Sequence, residues 1–197
     1  MSSSAEPAAR ALAQRVFDEW PPALRALFDG TALGSKAGFT ASLITCDAGG
    51  HLRTSLLGIG ELYAPDARSL AFALWPTSRA ARTLRAAAEA GAHTPEHGRG
   101  RAQAALTFVH DGAFHQVQLA VEPLASGEGE SGCSLALFLA SIDTGEAQQV
   151  GYARLTGGIA FELSGQAGEQ QAVLARWERQ IDALRRAADG ARGAGSR

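Results

Sequence analysis

The sequence has little lysine, few cysteines and no long apolar run. Lys36 is the only lysine among 18 basic residues, and 20 acidic residues leave a net charge of −2. This near balance gives the chain no net field that would recruit nucleic acid or an anionic membrane surface. No apolar run is long enough to cross a bilayer. We therefore expect neither nucleic-acid nor membrane partners.

The cysteine content and the first residues both indicate an intracellular protein. Cys46 and Cys133 are far apart and lack the spacing of a metal or redox motif, so we expect reduced, buried thiols. The first residues show neither the basic start nor the apolar stretch of a secretory signal. The expectation is a cytoplasmic protein, and its 197 residues are enough for one domain with a sizeable core.

Hydrophobic periodicity predicts helices near both ends of the chain and strands between them. Helices are predicted at residues 7–20, around residues 24–28, after Thr77 or Ser78, and at 170–188, where the amphipathic pattern is clearest. Alternating or β-branched segments bounded by turn signals predict strands. These are residues 39–46, 51–63, 69–75, 103–109, 114–122, 135–142 and 159–163.

About six short strands with flanking helices and no βαβ alternation predict a mainly β, α+β fold. The expected architecture is a β-barrel or a strongly curved sheet. An N-terminal helical segment (1–36) would pack on the barrel domain (37–168). A C-terminal amphipathic helix (169–189) and a disordered tail (190–197) would follow.

Two neighbouring segments carry the clearest functional signal. Arg53-Thr54-Ser55-Leu56-Leu57 is predicted as a strand with an arginine near its start. Residues 72–79 are predicted as a strand that runs into a helix through Pro-Thr-Ser-Arg. Free N–H groups, the helix dipole, a hydroxyl and a guanidinium all favour a phosphate at such a helix start. Arg53 would approach the same anion from the side.

Each of these residues also has an ordinary structural interpretation. Arg53 would point to solvent or pair with Glu61, and Thr77 or Ser78 would only cap the helix. Gln116 would be a polar residue on an exposed strand face, and Trp75 would belong to the core. These alternatives stay open at this point.

The order and spacing of the motifs resemble the pyridoxamine 5′-phosphate oxidase-like family of FMN-binding split barrels. The likeness covers roughly residues 39–122, with a weaker echo in residues 150–155. In that family an Arg-x-x-Leu-Leu strand lines the flavin, as Arg53 to Leu57 would here. A strand leading into Ser-Arg before a helix binds the flavin phosphate, and this matches residues 72–79. Gln116 matches a glutamine that lies at the flavin ring.

Several positions depart from the family pattern. The lysine that commonly follows Ser-Arg is Ala80, and the tyrosine-threonine pair before the phosphate turn is Ala73-Leu74. The arginines that flank the glutamine are replaced by His115 and Gln118. The Trp/Arg-rich C-terminal segment of true pyridoxamine phosphate oxidases is absent. The resemblance therefore implies the flavin fold without vitamin oxidation.

The resemblance further implies a split β-barrel of the FMN-binding type, assembled as a homodimer with FMN at the interface. Arg53, Ser78 and Arg79 would hold the phosphate. Gln116 would bond the polar edge of the ring, and Trp75 would flank the ring. Backbone groups would line the ring and the ribityl chain at Thr54, Ser55, Leu56, Ala73 and Leu74.

Three functions remain open from the sequence. The first is an FMN-dependent oxidoreductase whose substrate and electron donor the sequence does not identify. The second is a non-catalytic flavin- or haem-binding protein, and the third is a cofactor-free dimeric interaction protein. No Ser/His/Asp or Cys/His arrangement indicates a catalytic nucleophile. His93 and His97 fall in a predicted loop rather than on a helix, so no metal site is predicted.

Overall fold

One antiparallel sheet of eight strands organises the described part of the chain. The structure is a computed structural model, and it describes residues 12–92, 101–124 and 134–195. Its helices are α1 (Pro22–Leu27), α2 (Arg79–Ala92) and α3 (Ala167–Gly195), and 3-10 turns cover Leu33–Lys36 and Ile59–Glu61. The strands are β1 (Leu12–Phe17), β2 (Thr40–Cys46), β3 (Leu52–Gly58), β4 (Leu62–Tyr63), β5 (Ser69–Leu74), β6 (Ala102–His110), β7 (Ala113–Pro123) and β8 (Ala136–Val150).

The sheet curls back on itself. Its strand order is β3-β2-β6-β7-β8-β5-β4, with β1 paired to the second half of β8, and every pairing is antiparallel. β3 and β4 stand at the two ends of this order, yet only the turn Ile59–Glu61 separates them in the chain. So short a link forces the two edges of the sheet to approach each other, which makes a half-barrel. The predicted mainly β, α+β fold with flanking helices is confirmed.

The core fills the inner face of the half-barrel. Leu43, Leu106 and Leu119 point inward from neighbouring strands and are fully buried, and both α2 and α3 contribute to the same core cluster. Trp177 of α3 lies against Gly60 in the turn between β3 and β4, where an added Cβ would come within 2.5 Å of the indole Cδ1. The apolar stripe of α3 therefore packs on its own barrel.

The predicted N-terminal helix is wrong within the described residues. Residues 12–17 form strand β1, which pairs with β8 from Leu12↔Val150 to Phe17↔Gly145. The apolar spacing that suggested a helix does not face the core, because Leu12 is 50% and Val16 is 70% exposed. Phe17 alone turns inward, where its ring occupies the space above Gly145. Residues 7–11 lie outside the described residues.

Further expectations also need correction. Residues 159–163 form no strand but a single bridge, Phe39↔Ala160. The predicted disordered tail is helical through Gly195, because α3 continues and Arg192 pairs with Asp189 at 2.6 Å. Cys46 is a free thiol, as expected, but it is exposed rather than buried. The predicted loop that holds His93 and His97, like Cys133, falls outside the described residues. The strand predicted at 51–63 is two strands, β3 and β4, separated by the 3-10 turn Ile59–Glu61, and the strand predicted at 135–142 continues as β8 to Val150. The remaining predicted strands and helices are found within a few residues of their expected limits.

Candidate functional site

The residues predicted to hold a phosphate lie at one end of the sheet. Neighbouring strands are antiparallel throughout, so β3 begins at the end of the sheet where β5 finishes. Arg53 is the second residue of β3, and the turn at residues 75–78 connects β5 to α2. β3 and the β4–β5 pair also form the two edges of the half-barrel. The fold therefore brings Arg53 and the N-terminus of α2 to the same end of the sheet, at its two facing edges.

Ser78 is the N-cap of α2. Its Oγ accepts a hydrogen bond from the Ala81 N–H at 3.2 Å, so Ser78 rather than Thr77 caps the helix. The N–H groups of Arg79 and Ala80 belong to the first turn, where helix geometry gives them no intrahelical acceptor. The Arg79 residue is exposed beside them. This helix end therefore offers hydrogen-bond donors and positive charge to an anion in solvent.

Arg53 pairs with Asp47 rather than with Glu61. Its Nε donates to Asp47 Oδ2 at 3.1 Å across the turn between β2 and β3, and its side chain remains 43% exposed. Glu61 instead accepts a bond from the Gly58 N–H at 2.8 Å. The Asp47 carboxylate accepts hydrogen bonds from the backbone N–H of His51, from the Arg53 side chain and from the backbone N–H of Gly49. These bonds lower the pKa of Asp47 to about 2. A phosphate that binds Arg53 would have to replace or share this carboxylate.

Thr45 is a polar residue of this region that sequence reasoning missed. It pairs with Arg53 in β3 and with Ala104 in β6, so the three side chains share the inner face, on which α2 packs. Thr45 is 2% exposed, and its Oγ1 has no hydrogen-bond partner among the described residues. A buried hydroxyl without a partner is an exception to the usual pairing of buried polar groups. Only the strand register, which the sequence does not display, reveals this neighbour.

Two of the predicted flavin contacts, Leu56 and Gln116, lie on the other face of the sheet. Gln116 of β7 pairs with Thr107 of β6, which pairs with Ser42 of β2 and, through it, with Leu56 of β3. These side chains form one row on the outer face, and both Leu56 and Gln116 are exposed. Within one chain, the structure therefore groups Gln116 with Leu56 and separates it from Arg53.

The remaining predicted residues divide in the same way. Thr54 shares the outer face with Leu56, whereas Ser55 is half-buried on the inner face with Arg53. Ala73 and Leu74 are buried at the end of β5 and line the core with their side chains. Trp75 does not belong to the core, because it is 60% exposed next to the phosphate turn. Its exposure leaves the indole available to a planar ligand.

The described ranges contain neither a metal-binding cluster nor a membrane-spanning helix. Within residues 12–92, 101–124 and 134–195, no three or more His, Cys, Asp or Glu side chains group to hold a metal ion. In those same ranges no helix combines the length and apolarity needed to cross a membrane. His93 and His97 lie outside them.

Comparisons with known proteins find likeness in structure only. No protein-family model matches the chain, and no curated protein sequence matches it. A candidate pyridoxamine 5′-phosphate oxidase from Lactobacillus delbrueckii is similar at 13% identity and a TM-score of 0.46, over 66% of this chain and 94% of that one. The protein HupZ from Group A Streptococcus is similar at 10% identity and a TM-score of 0.42, over 73% and 99%. An F420 reductase is similar at 11% identity and a TM-score of 0.39, over 64% and 98%.

The first of these proteins carries the name of the family that the motifs resemble. At these identities and TM-scores the comparisons assign no ligand and no activity, and both are inferred below from the residues of this chain.

Proposed function

We propose that this chain is an FMN-binding flavoprotein that acts as an FMN-dependent oxidoreductase and not as a true pyridoxamine phosphate oxidase. The observation that carries the proposal is the placement of Arg53 and the capped N-terminus of α2 at one end of the sheet. Arg53, Ser78 and Arg79 would bind the phosphate, and the exposed Trp75 would lie beside the flavin. Bound FMN would supply the redox chemistry, and the protein would orient it.

The division of the site between two sheet faces favours a homodimer. Gln116 lies three strands from Arg53 and on the opposite face. At about 4.8 Å between strands, three strands span roughly 14 Å of sheet. One flavin would have to reach across that distance and around the sheet edge to contact both Arg53 and Gln116 of the same chain. A second copy removes the difficulty, because its Gln116 would meet a flavin whose phosphate is held by the first copy. The exposed Leu52 (73%) and Leu56 (56%) on the outer face offer apolar area for such a contact.

The proposal is tested by flavin titration of the Arg79→Ala variant. Loss of a charge-assisted hydrogen bond should weaken FMN binding by about 1.5–3 kcal/mol, or roughly 10- to 150-fold. Riboflavin has no phosphate, so its affinity should not change in this variant. Arg186→Ala removes the same charge from an exposed position on α3 and is the matched control. Equal FMN affinity in wild-type and Arg79→Ala protein would refute the phosphate assignment.

Absorbance of the purified protein distinguishes the open alternatives. Flavin bands, and their bleaching by NADH or NADPH without oxygen, are expected for the oxidoreductase. Flavin bands that neither NADH nor NADPH bleaches would favour a flavin-binding protein without turnover. A haem spectrum, or a colourless protein that ignores added FMN, would replace the proposal by one of the other two functions.

A further inference from the structure

One row of side chains crosses six strands on the outer face of the sheet. From β3 to β1, the strand pairing gives the order Leu56, Ser42, Thr107, Gln116, Glu146 and Val16. Leu56 is 56% and Val16 is 70% exposed, and Gln116 between them is also exposed. The row is therefore open to a bound molecule at both ends and in its middle.

Glu146 contributes a carboxylate that is fixed but only partly used. Its Oε1 accepts a hydrogen bond from Gln14 Nε2 at 2.7 Å and a second one from Gln148 Nε2. The residue is half-buried, and no cationic side chain of the described residues forms an ion pair with it. Its Oε2 makes no hydrogen bond with another described residue, although each carboxylate oxygen can accept. Two amides thus hold Glu146 by one oxygen, and the other oxygen remains for a donor.

Gln116 places a complementary group beside this oxygen. It lies directly opposite Glu146 in the pairing of β7 with β8, and the Cβ atoms of such pairs are about 5 Å apart. Its amide makes no hydrogen bond with another described residue, so its two N–H donors are available. The row therefore presents a carboxylate acceptor and an amide donor side by side.

This donor and acceptor pair matches the polar edge of a flavin ring. At that edge the N3–H group is a donor, and a carbonyl oxygen flanks it on each side. Glu146 Oε2 suits the N3–H group, and Gln116 Nε2 suits a neighbouring carbonyl oxygen. The bond to the carboxylate is charge-assisted and therefore the stronger of the two. A ligand without an N–H group at this position would leave Glu146 Oε2 without a donor.

We propose that Glu146 recognises the flavin ring, with its Oε2 accepting a hydrogen bond from N3–H while Gln116 donates to an adjacent carbonyl oxygen. This inference rests on the proposed flavin function. In the homodimer proposed above, both residues come from the copy that does not hold the phosphate. Gln14 and Gln148 position the carboxylate, which gives the edge strand β1 a part in the site.

FMN methylated at N3 isolates this contact, because it keeps the phosphate and both carbonyl groups but has no proton on N3. Both compounds are titrated into the full chain, and binding is followed by flavin fluorescence. The wild type should bind FMN roughly 10- to 150-fold more tightly than the methylated compound, the value of a hydrogen bond to a charged group. In Glu146→Ala the two compounds should bind nearly equally, because the acceptor is gone and the vacated space accommodates the methyl group.

The charge of Glu146 provides a second measurement. A negative charge beside the ring opposes the addition of electrons, so Glu146→Ala should raise the midpoint potential of the bound flavin. Glu178→Ala removes the same charge from an exposed position on α3. This matched control should keep both the wild-type preference for FMN and the wild-type potential.

The proposal is overturned if the wild type binds FMN and the methylated compound equally, if Glu146→Ala keeps the full preference, or if it leaves the potential unchanged. Any of these results is compatible with weaker FMN binding in Arg79→Ala. The phosphate assignment would then stand, and only the role of Glu146 would fall. A wild-type protein that binds no FMN overturns both proposals.

Discussion

Replacement of Gly60 by alanine should destabilise the fold, because Trp177 occupies the space that the new methyl group needs. A Cβ at Gly60 would lie 2.5 Å from the indole Cδ1 and 2.6 Å from the Trp177 Cβ. Real Cβ atoms do not approach that closely, so the indole or the turn would have to move. Trp177 is only 6% exposed, and its displacement would open the packing of α3 on the turn between β3 and β4.

Overpacking of this kind costs about 1–3 kcal/mol. For a domain of this size, each kcal/mol corresponds to roughly 2–4 °C in the melting temperature, so a fall of about 2–12 °C is expected. Thermal unfolding followed by circular dichroism measures it. Gly157→Ala is the matched control, because nothing lies within 4 Å of a Cβ at that position, and its melting temperature should stay within about 2 °C of the wild type.

The cause of the loss can be checked with a double-mutant cycle. Trp177→Ala alone should be destabilising, since it leaves a cavity under α3. Gly60→Ala should then cost less in the Trp177→Ala background than in the wild type, because the clash has been removed. An unchanged melting temperature for Gly60→Ala, or strictly additive losses in the cycle, would show that Trp177 does not rest on Gly60.

Three further predictions concern charges and the helix cap. The pKa of Asp47 is about 2 in the folded protein, and it should rise in the Arg53→Ala variant when the carboxyl signals are titrated by NMR. Because this pKa is depressed, the ionised Asp47 carboxylate stabilises the wild-type fold above about pH 4, and this stabilisation fades as the pH falls toward 2. Ser78→Ala should cost about 1 kcal/mol in urea unfolding through loss of the cap of α2, and an unchanged midpoint would contradict the cap. Burial raises the pKa of Glu61, so stability should decline as the pH rises through that pKa; Glu61→Gln should flatten this decline, and an unaltered pH profile would exclude Glu61 as its source.

Much of the sheet could be predicted because its strands have one buried face. β2, β6 and β7 alternate largely between inward apolar and outward polar residues, and turn signals bound them, as Asp47–Gly50 does after β2. β1 could not be predicted in this way. It is an edge strand whose residues are almost all exposed, so its strand period never appears in the sequence, and chance spacing of Leu12 and Val16 imitates a helix.

The partner of Arg53 was not predictable from spacing along the chain. The strand predicted at 51–63 would have placed Glu61 on the same face as Arg53, whereas Asp47 lies across a turn. The turn decides the outcome, because the N–H groups of Gly49 and His51 fix the Asp47 carboxylate at 3.0 Å each. The two N–H bonds hold Asp47 in reach of Arg53, while Glu61 is committed to its own turn.

Strand register places Arg53 and Gln116 on opposite faces of the sheet, although the sequence motifs assign both residues to one site. Position along a strand shows only that successive side chains alternate between the two faces. Which residues of different strands share a face depends on the strand pairing, here through β2 and β6. That pairing sets Arg53 beside Thr45 on the inner face and Leu56 in line with Gln116 on the outer face. A motif-derived site that includes both Arg53 and Gln116 is therefore incomplete within one chain. If both bind one flavin, association of two copies and flavin binding must strengthen each other by the same factor, because each state supplies contacts that the other needs.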